Sequence, residues 1–334
     1  MTSILSLISG SFGRALVLGT LFPVTVATLL GLLFVVPFMP ADVAVLAPLA
    51  ALDPGWKIVL ITLIVILLTG LLYNLNSSLI RLYEGYPWQH SWLGRRAIAS
   101  QLLRRQWAES RRPLLKSLIA TIRERDSADP AIGKLEVWRT RLGQRVVNEY
   151  PGPELVLPTR LGNVIRSFEE YPRSVYGIST VSVWPRLVGV LSKESLALLD
   201  DSKSSFDFMI NASFLSGALS GSIFVAGLLV PARIHWPEWL FQVVLAGVAS
   251  WLFYLGSVSA AAAWGEQVKS AFDLYRWDLL KKLGYTAAPE NADTERELWT
   301  EISKRMIYGN PPADRPLTPY THHPTPNAGP SGES

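Results

Sequence analysis

The sequence contains no cysteine among its 334 residues. This absence excludes disulfide bonds, thiolate catalysis, zinc fingers and iron–sulfur clusters. Histidine is scarce as well: the chain has four, and none has a partner at the spacing of a metal-binding motif. The sequence also lacks the HExxH, P-loop, GxGxxG and nucleophile-elbow patterns. We therefore predict a protein that is not an enzyme and that uses no metal or cofactor.

Charge is nearly absent from four long apolar stretches. These stretches cover residues 15–38, 58–75, 208–230 and 239–263. A helix needs about 20 residues to cross the hydrocarbon layer of a membrane, so each stretch is long enough, the second only just. A core helix of a soluble protein rarely runs this far without a charge. The sequence therefore predicts an all-α, polytopic membrane protein with four transmembrane helices.

Basic residues are concentrated between the second and third spans. Residues 77–206 hold 20 Lys and Arg against 13 Asp and Glu, whereas the loop 39–56 holds no basic residue. Loops rich in Lys and Arg stay on the cytoplasmic side of a membrane. We therefore predict a multi-pass cell-membrane protein with a helical cytoplasmic domain at 77–206 and with both termini cytoplasmic. The spans then form two hairpins, at residues 15–76 and 207–263.

Three further segments lie outside these hairpins. Residues 1–14 place their apolar side chains on one helical face, which fits either an interfacial helix or the frayed start of the first span. Residues 264–309 are predicted to form cytoplasmic helices, the last opened by a capping box of Thr294 and Glu297. Residues 310–334 are rich in Pro, Gly, Ser and Thr, so we expect a disordered tail.

The third span is polar for a membrane helix. Small residues let helices approach closely, and hydroxyl groups can bond across the contact. This face therefore either packs against another helix or lines a pore in an oligomer. No ionisable residue lies in the middle of any span, which argues against a proton pump. The residues of this candidate face are Asn211, Ser213, Ser216, Gly217, Ser220 and Gly221.

The stretch 157–187 is the least generic part of the chain between the spans. It places both signs of charge among aromatic residues, and the pair Tyr171-Pro172 is expected to end a helix there. The alternative interpretation is an ordinary helix surface with salt bridges. The candidate residues of a polar cytoplasmic site are Arg160, Asn163, Arg166, Glu169, Arg173 and Arg186.

The second span is followed by an aromatic cluster. Trp88 and Trp92 suit the depth of lipid headgroups, and Arg81 and Glu84 are spaced to pair on one helix face. We predict that these four residues anchor the membrane exit, although a stacking platform for a ligand or partner fits the same pattern. Three Arg pairs between residues 95 and 112 fit either a solvated helix face or binding of anionic lipid headgroups. Nucleic acid is not an expected partner.

The layout resembles that of the bestrophin anion channels, which have four spans, cytoplasmic termini and a large helical block between spans two and three. The segment Arg81-Leu-Tyr-Glu84-Gly is similar to the Arg-x-x-Glu stretch after that family's second span. The sequence has no counterpart of the family's acidic cluster after the fourth span. A likeness of layout does not establish function, so the resemblance implies an ion channel only as an expectation.

The sequence leaves two functions open. The preferred one is a homo-oligomeric channel or pore-like protein in which the third span lines the path. The alternative is a membrane-anchored scaffold or sensor whose basic cytoplasmic domain binds a protein, a nucleotide or an anionic lipid. The predicted partners are the lipid bilayer, anionic lipid headgroups and further copies of the chain.

Overall fold

The computed structural model describes residues 16–35, 52–230, 235–285 and 289–309. Within these ranges the chain is helical and contains no strand, which confirms the all-α prediction. The predicted interfacial helix at 1–14 and the predicted tail at 310–334 lie outside the described residues. The helices, numbered in chain order, are α1 Phe22–Phe34, α2 Pro54–Glu84, α3 Trp92–Arg125, α4 Pro130–Glu149, α5 Arg160–Tyr176, α6 Thr180–Val188, α7 Lys193–Leu229, α8 Trp236–Lys282 and α9 Ala292–Tyr308.

Four of these helices are long and apolar enough to cross a bilayer. They are α2, α7, α8, and α1 together with the π-helical turn Val17–Leu21 that precedes it. Each contains all or most of one of the four charge-poor stretches of the sequence. The helices α7 and α8 extend well beyond their apolar parts, because the charged segments beside those parts continue the same helix.

The chain forms two compact units. The first comprises residues 1–167 and 197–265, and it contains α1 to α4 with the apolar parts of α7 and α8. The second comprises residues 168–196 and 266–334, and it contains α6, α9 and the end of α8. The domain boundaries expected from the sequence, including the block 77–206, stay predictions.

Two small apolar cores hold the first unit's long helices together. One core joins α1, α2 and α7, and the other joins α1, α7 and the start of α8. Most apolar side chains of these helices face outward instead, which is the arrangement expected of helices that meet lipid or further protein. The buried members are Val24, Val65, Leu72 and Leu79 in the first core, and Val35, Ile223, Ala226 and Trp239 in the second.

A glycine allows α7 and α8 to meet closely. The indole of Trp239 donates a hydrogen bond from Nε1 to the carbonyl oxygen of Ile223 over 3.0 Å. A Cβ at Gly227 would stand only 2.0 Å from that Nε1 atom, so any larger residue must displace the ring. The stacked pair of Phe224 and Trp239, with ring centroids 5.6 Å apart, covers the same contact.

The helices α3 and α4 form a second pair within the first unit. Their contact buries Ala108, Leu115, Leu142 and Val146. Asp129 begins α4 by accepting a hydrogen bond from the backbone of Ala131 over 2.8 Å, with proline at the first helical position. The pair is therefore a helical hairpin with its own apolar seam.

Two local predictions are wrong. Proline 172 does not end a helix: it lies buried inside α5, which runs on to Tyr176. The proline removes one backbone donor, and the burial of the apolar face of α5 offsets that loss. The capping box of α9 is formed by Asn291 and Thr294 rather than by Thr294 and Glu297. The helix begins at Ala292, so Asn291 is the cap, and its side chain accepts from two backbone N–H groups at 3.0 and 2.9 Å.

The close contact at Gly227 predicts a large difference between two Gly→Ala substitutions in α7. Gly227→Ala should lower the free energy of unfolding by about 1–3 kcal/mol, because the added methyl group overpacks the Trp239 contact. Gly221→Ala is the matched control, since nothing lies within 4 Å of its added Cβ. Alanine favours helix over glycine, so the control should be neutral or slightly stabilising. Unfolding of the detergent-solubilised chain measures both, and equal effects of the two changes would contradict the packing.

Candidate functional site

The polar face of α7 is turned toward α8. Ser213 donates to the carbonyl oxygen of Ser250 over 2.9 Å, and Ser250 donates back to the carbonyl oxygen of Ser213 over 2.8 Å. Ser220 donates to the carbonyl oxygen of Val243 over 2.9 Å. A Cβ at Gly217 would stand 3.0 Å from the hydroxyl of Ser250. These contacts are those of a tight helix–helix interface, in which small residues and hydroxyl groups replace bulky packing.

The other members of the predicted face have different surroundings. Ser216 is half-buried, and Gly221 is exposed, with open space where a Cβ would be. Of the two glycines, only Gly217 therefore lies in a close contact. Asn211 is fully buried and points away from α8, toward the turn that precedes α1. The structure thus divides the six residues among an interface, an open surface and a buried polar cluster.

This cluster, which we call the span-end cluster, begins at Asp207. Its carboxylate accepts a hydrogen bond from the side-chain amide of Asn76 over 3.0 Å. Lys203, one helical turn earlier in α7, reaches both carboxylate oxygens, over 3.0 and 2.7 Å. The side chain of Lys203 is 39% exposed whereas that of Asp207 is 11% exposed, so solvent weakens the ion pair. The hydrogen bond from Asn76 is therefore the more shielded of the two contacts.

The cluster continues one turn further along α7. Asn211 donates its side-chain amide to the carbonyl oxygen of Gly19 over 2.8 Å, inside the π-helical turn. The hydroxyl of Thr20 lies 3.4 Å from the same amide nitrogen. A Cβ at Gly19 would stand 3.3 Å from the Cβ of Asp207, so both α7 residues pack on this turn. π-helical turns leave backbone groups outside the regular ladder and occur often at functional sites.

Two oxygen atoms of the span-end cluster are buried without a hydrogen-bond donor. They are the side-chain carbonyl oxygens of Asn76 and Asn211. A buried acceptor without a donor loses about 1–3 kcal/mol relative to a satisfied one. The cluster therefore joins three candidate spans by polar contacts. A joint that served only to hold the helices together would not need the two acceptors without donors.

The residues of the predicted polar cytoplasmic site are divided between the two compact units. In the first unit, Arg160 holds Glu149 with two nitrogens, over 3.0 and 3.2 Å. Asn163 is fully buried and pairs with both backbone groups of Leu157, accepting from its N–H over 2.7 Å and donating to its oxygen over 3.0 Å. Arg166 is half-buried. These contacts fasten the chain between α4 and α5, and the complete burial of Asn163 leaves its amide inaccessible to a ligand.

In the second unit, Arg173 and Arg186 are exposed and Glu169 is half-buried. Arg186 donates to the carbonyl oxygen of Ser182 over 2.6 Å, and the carbonyl oxygen of Glu169 accepts from Thr180 over 2.5 Å. The predicted residues of this unit thus make local helix contacts. None of the contacts described for them converges on a common point.

A carboxylate cluster that the sequence did not indicate is the centre of the second unit. Asp273 accepts hydrogen bonds from Tyr171 over 3.0 Å and from Tyr176 over 2.8 Å. Arg276 stacks on the ring of Tyr176 at 4.3 Å and pairs with Glu295 over 2.8 Å. Burial, followed by the hydrogen bond to Asp273, raises the pKa of both tyrosines above the ordinary value. Both phenols therefore stay protonated donors, and the cluster links α5, α8 and α9.

The predicted exit anchor includes a buried contact between the end of α2 and the start of α5. Glu84 is buried, and its carbonyl oxygen accepts a hydrogen bond from Thr159 over 3.1 Å. A Cβ at Gly162 would stand 2.4 Å from that same oxygen, so the start of α5 is packed on the end of α2. Gly85 ends α2 with a φ of 96°, a conformation that favours glycine.

The remaining anchor residues lie on the surface. Trp92 is 57% exposed and carries the guanidinium of Arg96 over its ring at 4.5 Å. Trp88 is half-buried and donates to the carbonyl oxygen of Leu82 over 3.4 Å. Arg81 is exposed on α2. The anchor therefore combines a buried backbone joint with exposed aromatic and basic side chains, and its role at a membrane exit stays a prediction.

No family model, curated protein or solved structure matches this chain. Function must therefore be argued from the geometry. Within the described residues, no group of three or more His, Asp or Glu side chains could hold a metal ion. The expectation of a protein without catalytic activity or cofactor stays a prediction.

Sequence analysis missed most of the span-end cluster. Asn76 and Asp207 both stand at the ends of predicted spans, where a polar residue is ordinary, so neither was predicted to belong to a site. Thr20 and Lys203 gave no signal beyond their types. The usable signal was Asn211 itself, because an amide inside a predicted span can hydrogen-bond to another helix.

Removing the carboxylate of Asp207 tests how much this cluster contributes to the stability of the fold. Asp207→Asn should lower the free energy of unfolding by about 1–3 kcal/mol, because the ion pair with Lys203 is lost and the hydrogen bond from Asn76 no longer has a charged acceptor. Asp201→Asn is the control, since it makes the same change on the exposed side of α7. Denaturant unfolding in detergent measures both variants. A loss of equal size in the two variants would show that the cluster contributes no more than an ordinary surface acid.

Proposed function

We propose that the chain is a multi-pass membrane protein in which the four apolar helices cross the bilayer. The outward orientation of most apolar side chains on α2 and α8 supports this placement, because such surfaces are unfavourable in water. The excess of basic residues in 77–206 supports a cytoplasmic position for that block and for both termini. The loop between the first two spans then lies on the side of the membrane opposite the cytoplasm.

Single cysteines introduced into this cysteine-free chain test the topology. Asp53→Cys, at the exposed start of α2, should react with a membrane-impermeant maleimide on intact cells. Ser127→Cys, in the exposed turn between α3 and α4, should react only after the cells are opened. The opposite labelling pattern would mean that the chain has the reverse orientation in the membrane. Labelling of both sites on intact cells would contradict the proposed topology.

We propose further that the protein is a homo-oligomeric channel for small anions, with α2 facing the path. The proposal rests on the residues of one exposed face of α2. Its members recur every three or four residues, so they lie on one side of the helix, and all are exposed. From the start of the helix onward they change from apolar to polar and end in a cation: Leu63, Ile66, Gly70, Asn74, Ser77 and Arg81.

The chemistry of this face suits a water-filled path better than lipid. Side chains of Asn and Arg are costly against hydrocarbon and are found on surfaces that meet water or protein. A guanidinium at one end attracts anions, and Glu84, the acid that follows Arg81 on this side of α2, is buried. Leu63 and Ile66, which lie nearer to the start of α2, would form an apolar constriction of the path. Because four helices of a single copy enclose little aqueous space, the path requires several copies around one axis.

Ion selectivity tests this proposal. The purified chain in liposomes should pass chloride in preference to potassium, and Arg81→Glu should reduce or reverse that preference, because the charge at the polar end of α2 changes sign. Arg125→Glu makes the same change at the exposed end of α3 and serves as the control. The reversal potential under a salt gradient measures the preference.

Two results would overturn the proposal. One is a monomer in detergent and in the membrane, since a monomer cannot enclose the path. The other is an anion preference that Arg81→Glu and Arg125→Glu change equally, because the effect would then belong to net charge rather than to the α2 face.

A further inference from the structure

A cleft lies between α3 and α4 in the first unit. Its volume is about 550 Å³, which is large enough for a small phosphorylated molecule or a lipid headgroup. It lies beside the apolar seam, because Arg112 stands one helical turn from both Ala108 and Leu115 on α3. Its lining residues are Glu109, Arg112, Pro113, Lys116, Arg139, Thr140, Gly143 and Gln144.

The cleft is strongly cationic. Arg112 and Lys116 stand one helical turn apart on α3, and Arg139 faces them from α4. The one acid of the lining, Glu109, is held by Arg105 over 2.9 Å. Within the part of the chain that the structure describes, none of the three cations forms an ion pair or hydrogen bond with another residue. Three like charges gathered without a counter-charge repel one another, so an anion between them would be stabilised.

A glycine in the middle of α4 shapes the cleft. Glycine inside a helix costs about 1 kcal/mol relative to alanine, so its presence at 143 calls for a reason. Gly143 is buried, and the guanidinium atoms of Arg112 lie 3.3–3.4 Å from the point where its Cβ would stand. The missing side chain therefore lets Arg112 lie flat against α4. A guanidinium held by its surroundings loses less conformational freedom when it binds.

We propose that this cleft binds a phosphate group. Arg112 and Arg139 supply planar donor forks that match phosphate oxygens, and Lys116 supplies a third charge. Thr140 and Gln144 add uncharged donors on the α4 side. A free phosphorylated molecule and an anionic lipid headgroup carry the same group, so both are sources of the ligand. This site is separate from the α2 face and does not depend on ion conduction.

Binding of inorganic pyrophosphate to the full chain tests the assignment. With the protein in phosphatidylcholine nanodiscs, titration calorimetry should show binding that weakens as the salt concentration rises. Arg112→Gln and Arg139→Gln should each reduce the affinity about tenfold or more, because a charge-assisted hydrogen bond is lost. Arg141→Gln is the matched control: it removes the same charge from α4 at an exposed position that does not line the cleft.

A fourth variant separates positioning from charge. Gly143→Ala keeps every charge but moves the guanidinium of Arg112 outward, so pyrophosphate binding should weaken while thermal stability is kept or raised. Absence of pyrophosphate binding in the parent chain overturns the proposal. An equal loss of affinity in Arg112→Gln and Arg141→Gln overturns it as well, since the binding would then follow net charge.

The lipid composition of the nanodiscs distinguishes the two sources of phosphate. If headgroups reach the cleft, adding phosphatidylglycerol should lower the apparent affinity for pyrophosphate by competition, and Arg112→Gln should abolish that competition. If the ligand is a free molecule, the affinity should be the same in both kinds of nanodisc. Either result supports a phosphate site and assigns its source.

Discussion

The four apolar helices are long enough to cross a bilayer, where polar groups would find few hydrogen-bond partners because hydrocarbon accepts none. The helices meet this constraint in two ways. Some hydroxyl and amide groups bond to the backbone carbonyl one turn earlier in their own helix, as Thr25, Thr28, Thr62, Thr69 and Asn74 do. Others cross to the neighbouring helix, as Ser213, Ser220 and Ser250 do. Only the second kind fixes which helices are neighbours, so the α7–α8 contact is specified by three hydroxyl groups and by the glycines beside them.

The span-end cluster stands out against this background. Among the described residues, Gln242 on α8 has one buried side-chain oxygen without a donor, whereas two such oxygens, those of Asn76 and Asn211, lie together in the cluster. Both belong to the group that surrounds Asp207 and the π-helical turn before α1. Unused acceptors beside a carboxylate are costly to maintain in a purely structural joint. Such acceptors suit a site at which the helices α1, α2 and α7 change their contacts with one another or at which a buried water molecule binds.

The sequence predicted the type and approximate place of the helices well, because charge-free runs and helical periodicity are local properties. It did worse where a contact decided the outcome. Tyr171-Pro172 carries a helix-breaking signal, but burial within α5 outweighs it. The backbone joint between Glu84 and the residues Thr159 and Gly162 links parts of the chain about 75 residues apart, and no local pattern indicates it. The cluster around Asp273 was missed for the same reason, since its two tyrosines lie about 100 residues away.

The contrast between α7 and α2 explains why the proposed path differs from the one expected from the sequence. The third span had more polar residues, which made it the natural candidate for a pore lining. Ser213, Gly217 and Ser220 are engaged with α8, so their polarity is used inside a single copy. On α2, by contrast, Asn74 and Arg81 remain on an exposed face. A water-filled path needs polar side chains that the packing of one copy leaves exposed, and among the two helices that condition favours α2.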